Sequence, residues 1–244
     1  MNSGGGLAIS SLERSVGERC NRRVSFLPKA HVNSTDATIA RANVPPGHLE
    51  VWFEFGSPYS YLTIMRIQDM AALHGVYIVL RPFLLGPIFK NLGWQSSPFL
   101  EQKEKLAYMW RDVERESEKY GLQWTQPTVF PRVAVLPLRV ALAFADEPWI
   151  SDFCRAVMVQ NFAEDRDIGA TENVERALTA LALPVVDIIG AAQSEANKLA
   201  LRQQTERAQA LGIFGGPTFL VGNEMFWGND RLEDAMALAA VSRP

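Results

Sequence analysis

The 244-residue chain contains only two cysteines, Cys20 and Cys154, which cannot form a disulfide framework. Its three histidines, His31, His48 and His74, fall at no spacing that suits a zinc site. No stretch approaches the roughly 18 uncharged apolar residues of a membrane span. The longest apolar region, Val133 to Ala145, is broken by Pro137 and Arg139. Basic runs are also missing: 24 Lys and Arg stand against 27 Asp and Glu, a formal balance of −3, which argues against a nucleic-acid partner. There is no G-x-S-x-G elbow, no Walker loop and no dinucleotide fingerprint. Gly212-Ile213-Phe214-Gly215-Gly216 is glycine-rich, but it precedes a strand-like segment, the wrong order for phosphate binding at a helix N-terminus. These absences leave a chain of cytoplasmic type, without a membrane span, a nucleic-acid groove or a metal site built from its own residues.

What is present divides at the end of residues 1–48. The start is glycine-rich, and Arg14, Arg19, Arg22 and Arg23 lie among polar residues without apolar periodicity, so a disordered N-terminal extension is expected. It lacks the apolar centre of a secretory signal, and Glu13, Glu18 and Asp36 are unusual in a transit peptide. From Leu49 to Phe55 the residues are aromatic and branched, which predicts a buried strand. Ser57 suits a helix N-cap and Pro58 the first helical position, and the apolar spacing predicts a helix from Pro58 as far as Leu73. Val76 to Phe83 reads as a second strand, making a right-handed parallel crossover. A connection punctuated by Pro82, Pro87, Gly93 and Pro98 leads into helical text over Glu101–Tyr120, Leu136–Ala145, Ile150–Asn161, Asn173–Leu181 and Ala191–Leu211. Strands return at Pro217–Val221 and Met225–Trp227, joined by a Gly222-Asn223 turn, and a helix over Arg231–Ala240 closes the chain.

Two junctions carry the chemistry. Ser57-Pro58-Tyr59-Ser60 lies between a strand and a helix N-terminus, where thioredoxin-type proteins carry Cys-x-x-Cys, and Gly216-Pro217-Thr218 precedes a late strand, as a cis-proline does in those proteins. Both thiol positions read serine here.

From Leu49 onward the chain resembles the 2-hydroxychromene-2-carboxylate isomerases and their relatives, the kappa-class glutathione transferases. The resemblance is carried by Phe53-Glu54-Phe55-Gly56-Ser57-Pro58-Tyr59-Ser60-Tyr61-Leu62, by Gly212-Ile213-Phe214-Gly215-Gly216-Pro217-Thr218-Phe219 and by Phe226-Trp227-Gly228-Asn229-Asp230-Arg231-Leu232, in that order. It implies an α/β thioredoxin-like fold of DsbA/kappa type. Residues 49–84 and 212–244 would form the thioredoxin-like domain, and 85–211 a large helical insertion between the βαβ and ββα halves.

The resemblance further implies glutathione as cofactor and a small conjugated aromatic substrate, in a glutathione-dependent cis–trans isomerisation serving aromatic catabolism; a homodimer is compatible with it. With no cysteine at the first junction, the reacting sulfur must come from a ligand, and Ser57 is the candidate to donate a hydrogen bond to it and stabilise its thiolate. By position, the Gly216 backbone before a cis Pro217 would pair with the cysteinyl backbone of glutathione. Trp227, Gly228, Asn229 and Asp230 would bind its γ-glutamyl end, and Lys90 would meet a substrate carboxylate. Plainer roles stand beside these: an ordinary N-cap for Ser57, a loop end for Pro217, edge packing for Trp227, a helix cap for Asp230, a solvated surface lysine for Lys90 and a buried small hydrophobe for Cys154. A kappa-like transferase, or a binding module of the same fold that has lost its thiols, are the alternative functions. Phe99, Leu100, Val133 and Ala134 stand where the family presents polar groups, so a more apolar substrate pocket is expected, with other basic residues such as Lys103, Lys105 or Arg139 lining it if a simple carboxylate substrate is preferred.

Overall fold

In the computed structural model, which describes residues 42–242, alternation along the first strand organises the fold. Strand β1 (His48–Phe53) directs Leu49, Val51 and Phe53 into the larger of two apolar clusters and Trp52 into the smaller, so it is buried on both faces as the central strand of a covered sheet must be. Strand β2 (Tyr77–Pro82) pairs with it in parallel, strand β3 (Thr218–Val221) pairs with its other edge antiparallel, and strand β4 (Glu224–Trp227) completes the order β2-β1-β3-β4. The turn between β3 and β4 uses Gly222 at φ +58, a conformation glycine adopts without strain.

The expected first helix is two. Helix α1 (Pro58–Ile64) stops at Met65, and helix α2 (Ile67–His74) starts after Arg66. Arg66 accounts for the break locally: its Nε donates back to the Leu62 carbonyl at 3.1 Å, occupying an acceptor at the end of α1. Helix α3 (Leu85–Asn91) occupies the connection read as irregular; Gly86 and Pro87 obscured it, but a proline in the first turn removes no helical hydrogen bond. The insertion continues through α4 (Pro98–Glu101), α5 (Lys103–Lys119), α6 (Val135–Ala143), α7 (Ile150–Phe162) and α8 (Thr171–Ala180). Helix α9 (Val185–Ala192) lies almost wholly in a stretch not read as helical, and the helix expected over Ala191–Leu211 is α10 (Glu195–Ala210), which begins where Ser194 caps it by accepting from the Asn197 amide. A single 3-10 turn (Asn229–Arg231) then leads into α11 (Leu232–Val241).

The helices of 85–211 share one core with the sheet: Val113, Leu138, Val157 and Leu178 belong to the same cluster as Val51, Phe53 and Phe219. On the other face Trp52, Phe83, Ala208, Leu211 and Leu220 pack together, joined by Ala42 and Val44. Ordered packing therefore begins before Leu49, with β1 itself starting at His48 and the Val44 amide donating to the Gly222 carbonyl. The expectation of a disordered extension falls otherwise on residues 1–41, outside the described residues. No helix among the described residues is long and apolar enough to cross a membrane.

Candidate active site

β1 ends at Phe53, and four residues later Ser57 caps α1: its Oγ accepts from the Ser60 amide at 3.2 Å. The same hydroxyl donates across the sheet end to the Gly216 carbonyl at 2.9 Å. The Gly216-Pro217 bond is cis, as expected from the sequence. Three of the expected site residues, Ser57, Gly216 and Pro217, thus converge although 159 positions separate Ser57 from Gly216. Ser60, the second serine of the junction, is fully buried and its Oγ has no hydrogen-bond partner among the described residues. It lies directly beside Gly216, where an added Cβ would come within 3.3 Å of it. An orphan hydroxyl of this kind costs about 1–3 kcal/mol, an expense suited to a site rather than to a packed core.

Glu54 lies immediately behind this junction. Its Oε2 accepts from the Gly56 amide at 2.9 Å, and its backbone carbonyl accepts from the Ser57 amide. Burial without a cationic partner pushes its carboxyl up to about 8, the Gly56 amide opposing the shift only in part. Gly56 is tightly enclosed: an added Cβ would stand 2.7 Å from the Arg132 carbonyl. Arg132 follows a second cis bond, Phe130-Pro131, and is held by Asp165 and by Asn161 Oδ1 at 2.9 Å, while Asn161 Nδ2 donates to the Phe55 carbonyl at 2.9 Å. These contacts fasten the 130–133 loop against the end of β1.

The third motif brings a different group of side chains together. Asn229 is buried, and its Oδ1 accepts from Arg66 at 2.9 Å and from the Thr63 hydroxyl at 3.3 Å, leaving its amide nitrogen without a bond to the described residues. Arg66 also stacks on the Tyr120 ring at 3.5 Å, so Asn229 is fixed from behind by a cation already held at both ends. Asp230 is exposed in the 3-10 turn, its carboxylate lying over Gly228 and 3.5 Å from the Arg231 guanidinium. The N-cap of α11 is Arg231, with no side-chain cap, so Asp230 does not cap that helix. Trp227 is 52% exposed on the edge strand, its ring 4.9 Å from Phe214 and in close contact with Gly215.

Lys90 is exposed in the last turn of α3, with no ion pair or hydrogen bond from its side chain to the described residues. Cys154 is fully buried on α7 and desolvation raises its thiol far above the usual range, the state of a small hydrophobe. Sequence reasoning did not single out Glu54, Ser60 or Arg66 individually. Ser60 carried a signal as the second thiol position reading serine, and Glu54 as an acid directly after a largely apolar strand.

Comparison with known proteins bears on the family and fold. Residues 48–238 match the family model described as DSBA-like thioredoxin domain. The chain is 27% identical over 189 residues to 2-hydroxychromene-2-carboxylate isomerase from Sphingobium xenophagum, covering 76% of this chain and 94% of that protein. It is 23% identical over 202 residues to glutathione S-transferase kappa 1 from Rattus norvegicus, covering 77% and 88%. Among solved structures, a 2-hydroxychromene-2-carboxylate isomerase superposes with a TM-score of 0.70 at 25% identity, over 78% of this chain and 94% of that one. The family model covers the strand-to-helix junction, the insertion and the cis-proline strand together, and on that match the chain belongs to the DsbA-like thioredoxin domain family.

Proposed function

We propose that the protein is an enzyme, a glutathione-dependent isomerase of 2-hydroxychromene-2-carboxylate type, acting in the cytoplasm in the breakdown of aromatic compounds. The observation that carries this reading is the Ser57 hydroxyl, held by the Ser60 amide and the Gly216 carbonyl at a junction where redox relatives of the fold use a thiol. The isomerases named among the relatives support the reaction, and the kappa transferase supports the cofactor.

The residues present fit glutathione. Ser60 Oγ is an orphaned buried polar atom beside Gly216, and the Asn229 amide nitrogen is free of bonds to the described residues. Gly216, before cis Pro217, would pair with the cysteinyl backbone, while Trp227, Gly228, Asn229 and Asp230 would hold the γ-glutamyl end, Asp230 through its ammonium. Lys90, exposed on α3, would be a further group for a substrate carboxylate. When bound, glutathione supplies a nucleophilic thiolate for reversible addition to a conjugated carbon, without net redox change.

Ser57 has one proton to give. Turned toward a thiolate, it exchanges a neutral bond to the Gly216 carbonyl, worth about 0.5–1.5 kcal/mol, for a charge-assisted one worth about 1.5–3. That exchange would favour the thiolate-facing hydroxyl, and the Gly216 carbonyl would be open to a ligand N–H. The Ser60 amide continues to donate to Oγ throughout and keeps the side chain in place.

Ser57→Ala tests the reading: the fold is kept and turnover of a conjugated hydroxychromene or enone acid at saturating glutathione falls tenfold or more. Unchanged turnover would overturn the role of Ser57. Constant glutathione during turnover marks the isomerase and its stoichiometric consumption a kappa-like transferase. Glutathione binding with no turnover of any such substrate marks a binding module.

A further inference from the structure

A cavity of about 660 Å³ lies outside the junction just described, neither Ser57 nor Pro217 contributing to its wall. Its wall joins the apolar Pro131, Val133, Val135 and Leu136 to polar groups of Asp167, Thr171 and Gln193 in comparable measure, and it begins with the loop whose Arg132 carbonyl presses on Gly56. A second space of about 320 Å³, bounded by Leu84, Pro87 and α10, shares Val135 and Arg139 with it. Leu84 follows β2 as Gly56 follows β1, which puts both spaces at the carboxyl ends of the two parallel strands, the edge where open α/β sheets bind ligands.

Arg139 is the charge shared by both walls. Its Nε is buried with no hydrogen-bond partner, and its side chain forms no ion pair with the described residues. Of the other charges lining the larger cavity, Asp167 is the one without an ion-pair partner among the described residues, and its carboxylate is held by a backbone amide. Arg132 is paired with Asp165, Asp167 Oδ1 accepts from the Gly169 amide at 2.9 Å, and Lys198 is 2.6 Å from Glu195. Arg139 acts on Glu195 only through space, as a minor contribution beside Lys198. Arg202 and Glu206 on the α10 wall are exposed to water and of opposite sign.

We propose that this cavity is the substrate-acid subsite, in which Arg139 pairs with the carboxylate of a planar, largely apolar ligand. The assignment rests on the isomerase reading and names the part of that site which receives the acid. A guanidinium with a desolvated, unbonded Nε offers a planar fork of donors that a carboxylate can satisfy. The apolar wall of Pro131, Val133, Val135 and Leu136 suits a ring system, and the volume lies within the range of small-molecule pockets. The apolar character expected from Val133 is therefore combined with a cation on α6. Leu100 and Ala134 lie outside this cavity, Ala134 being buried.

The test uses the purified full-length protein and naphthalene-2-carboxylate as a non-reactive probe, with naphthalene-2-carboxamide as its uncharged counterpart. By calorimetry the acid binds the wild type, and Arg139→Gln weakens it about tenfold or more, the worth of one charge-assisted hydrogen bond. Arg139→Lys recovers part of the loss, and the amide binds both proteins equally. Should Arg139→Gln fail to fold, Val133→Trp, at a 70%-exposed position on the same wall, blocks the acid without touching the guanidinium. Acid binding that is absent from the wild type, or indifferent to both variants, overturns the subsite. Glutathione affinity, measured in parallel, is unchanged by Arg139→Gln. Loss of glutathione binding in the wild type, with Arg139-dependent binding of the acid intact, overturns the isomerase reading and leaves the subsite standing.

Discussion

Replacing Glu54 with glutamine changes the pH dependence of stability in a direction fixed by its burial. In the folded chain the carboxyl is pushed up to about 8 from an ordinary 4.5, because desolvation outweighs the single bond from the Gly56 amide. Between those two pH values the folded state holds a proton that the unfolded chain has released. Stability is therefore fully present below about 4.5, falls as pH rises, and levels off above about 8. The slope approaches 1.4 kcal/mol per pH unit, which amounts to several kcal/mol across the window. Glutamine keeps an oxygen for the Gly56 amide but has no proton to lose. The difference in unfolding free energy between wild type and Glu54→Gln, taken from urea titrations at pH 5, 7 and 9, should thus move steadily in favour of the variant. Because all other titrating groups are common to both proteins, the difference isolates Glu54. A constant difference from pH 5 to pH 9 would refute the reasoning and mean that the carboxyl is ionised in the folded state at neutral pH.

Asp230→Asn should raise the glutathione concentration giving half-maximal rate while leaving the saturated rate nearly intact, since the contact proposed for it, to the γ-glutamyl ammonium, would lie far from the reacting carbon and the residue does not cap α11; steady-state kinetics read this, and a collapsed saturated rate with normal glutathione dependence contradicts it. Glu50 is buried, taking 2.9 and 2.7 Å bonds from Arg81, one of 3.1 Å from Trp52 Nε1 and one of 3.2 Å from Arg207. Glu50→Leu should cost about 1.5–3 kcal/mol, the worth of bonds to a charged group, since Arg81 and Arg207 are partly exposed and keep some hydration; thermal or urea unfolding measures it, and a loss below about 1 kcal/mol would show that both arginines relax fully into water. The Cys154 thiol should react with a soluble disulfide reagent only on unfolding, at a rate that tracks the unfolding rate, and rapid labelling of the native protein would place it nearer the surface than α7 allows.

Local signals in the sequence determined the elements and the two junctions. The branched and aromatic run of β1, the Ser57-Pro58 helix start, the Gly222-Asn223 turn and the final helix all form near the expected positions, because each depends on neighbouring residues and on a period that a few residues display. Ser57 was legible as a helix cap for the same reason, whereas Pro217 and Asn229 were singled out by the family resemblance of the motifs that contain them. Helix α3 was not legible, since Gly86 and Pro87 read as loop text until the first turn that tolerates them is seen. The break between α1 and α2 was hidden as well, because it depends on Arg66 turning back to Leu62 and across to Asn229, 163 positions away. Tertiary structure alone decided that the Ser57 hydroxyl is bonded to the Gly216 carbonyl, that Ser60 is buried without a partner among the described residues and that Lys90 is exposed on α3. It also decided the state of Glu54 and the placement of Arg139. A charge is local in sequence, but its desolvation and its partners are set by whatever distant segments close around it, and no spacing along the chain records which segments those are.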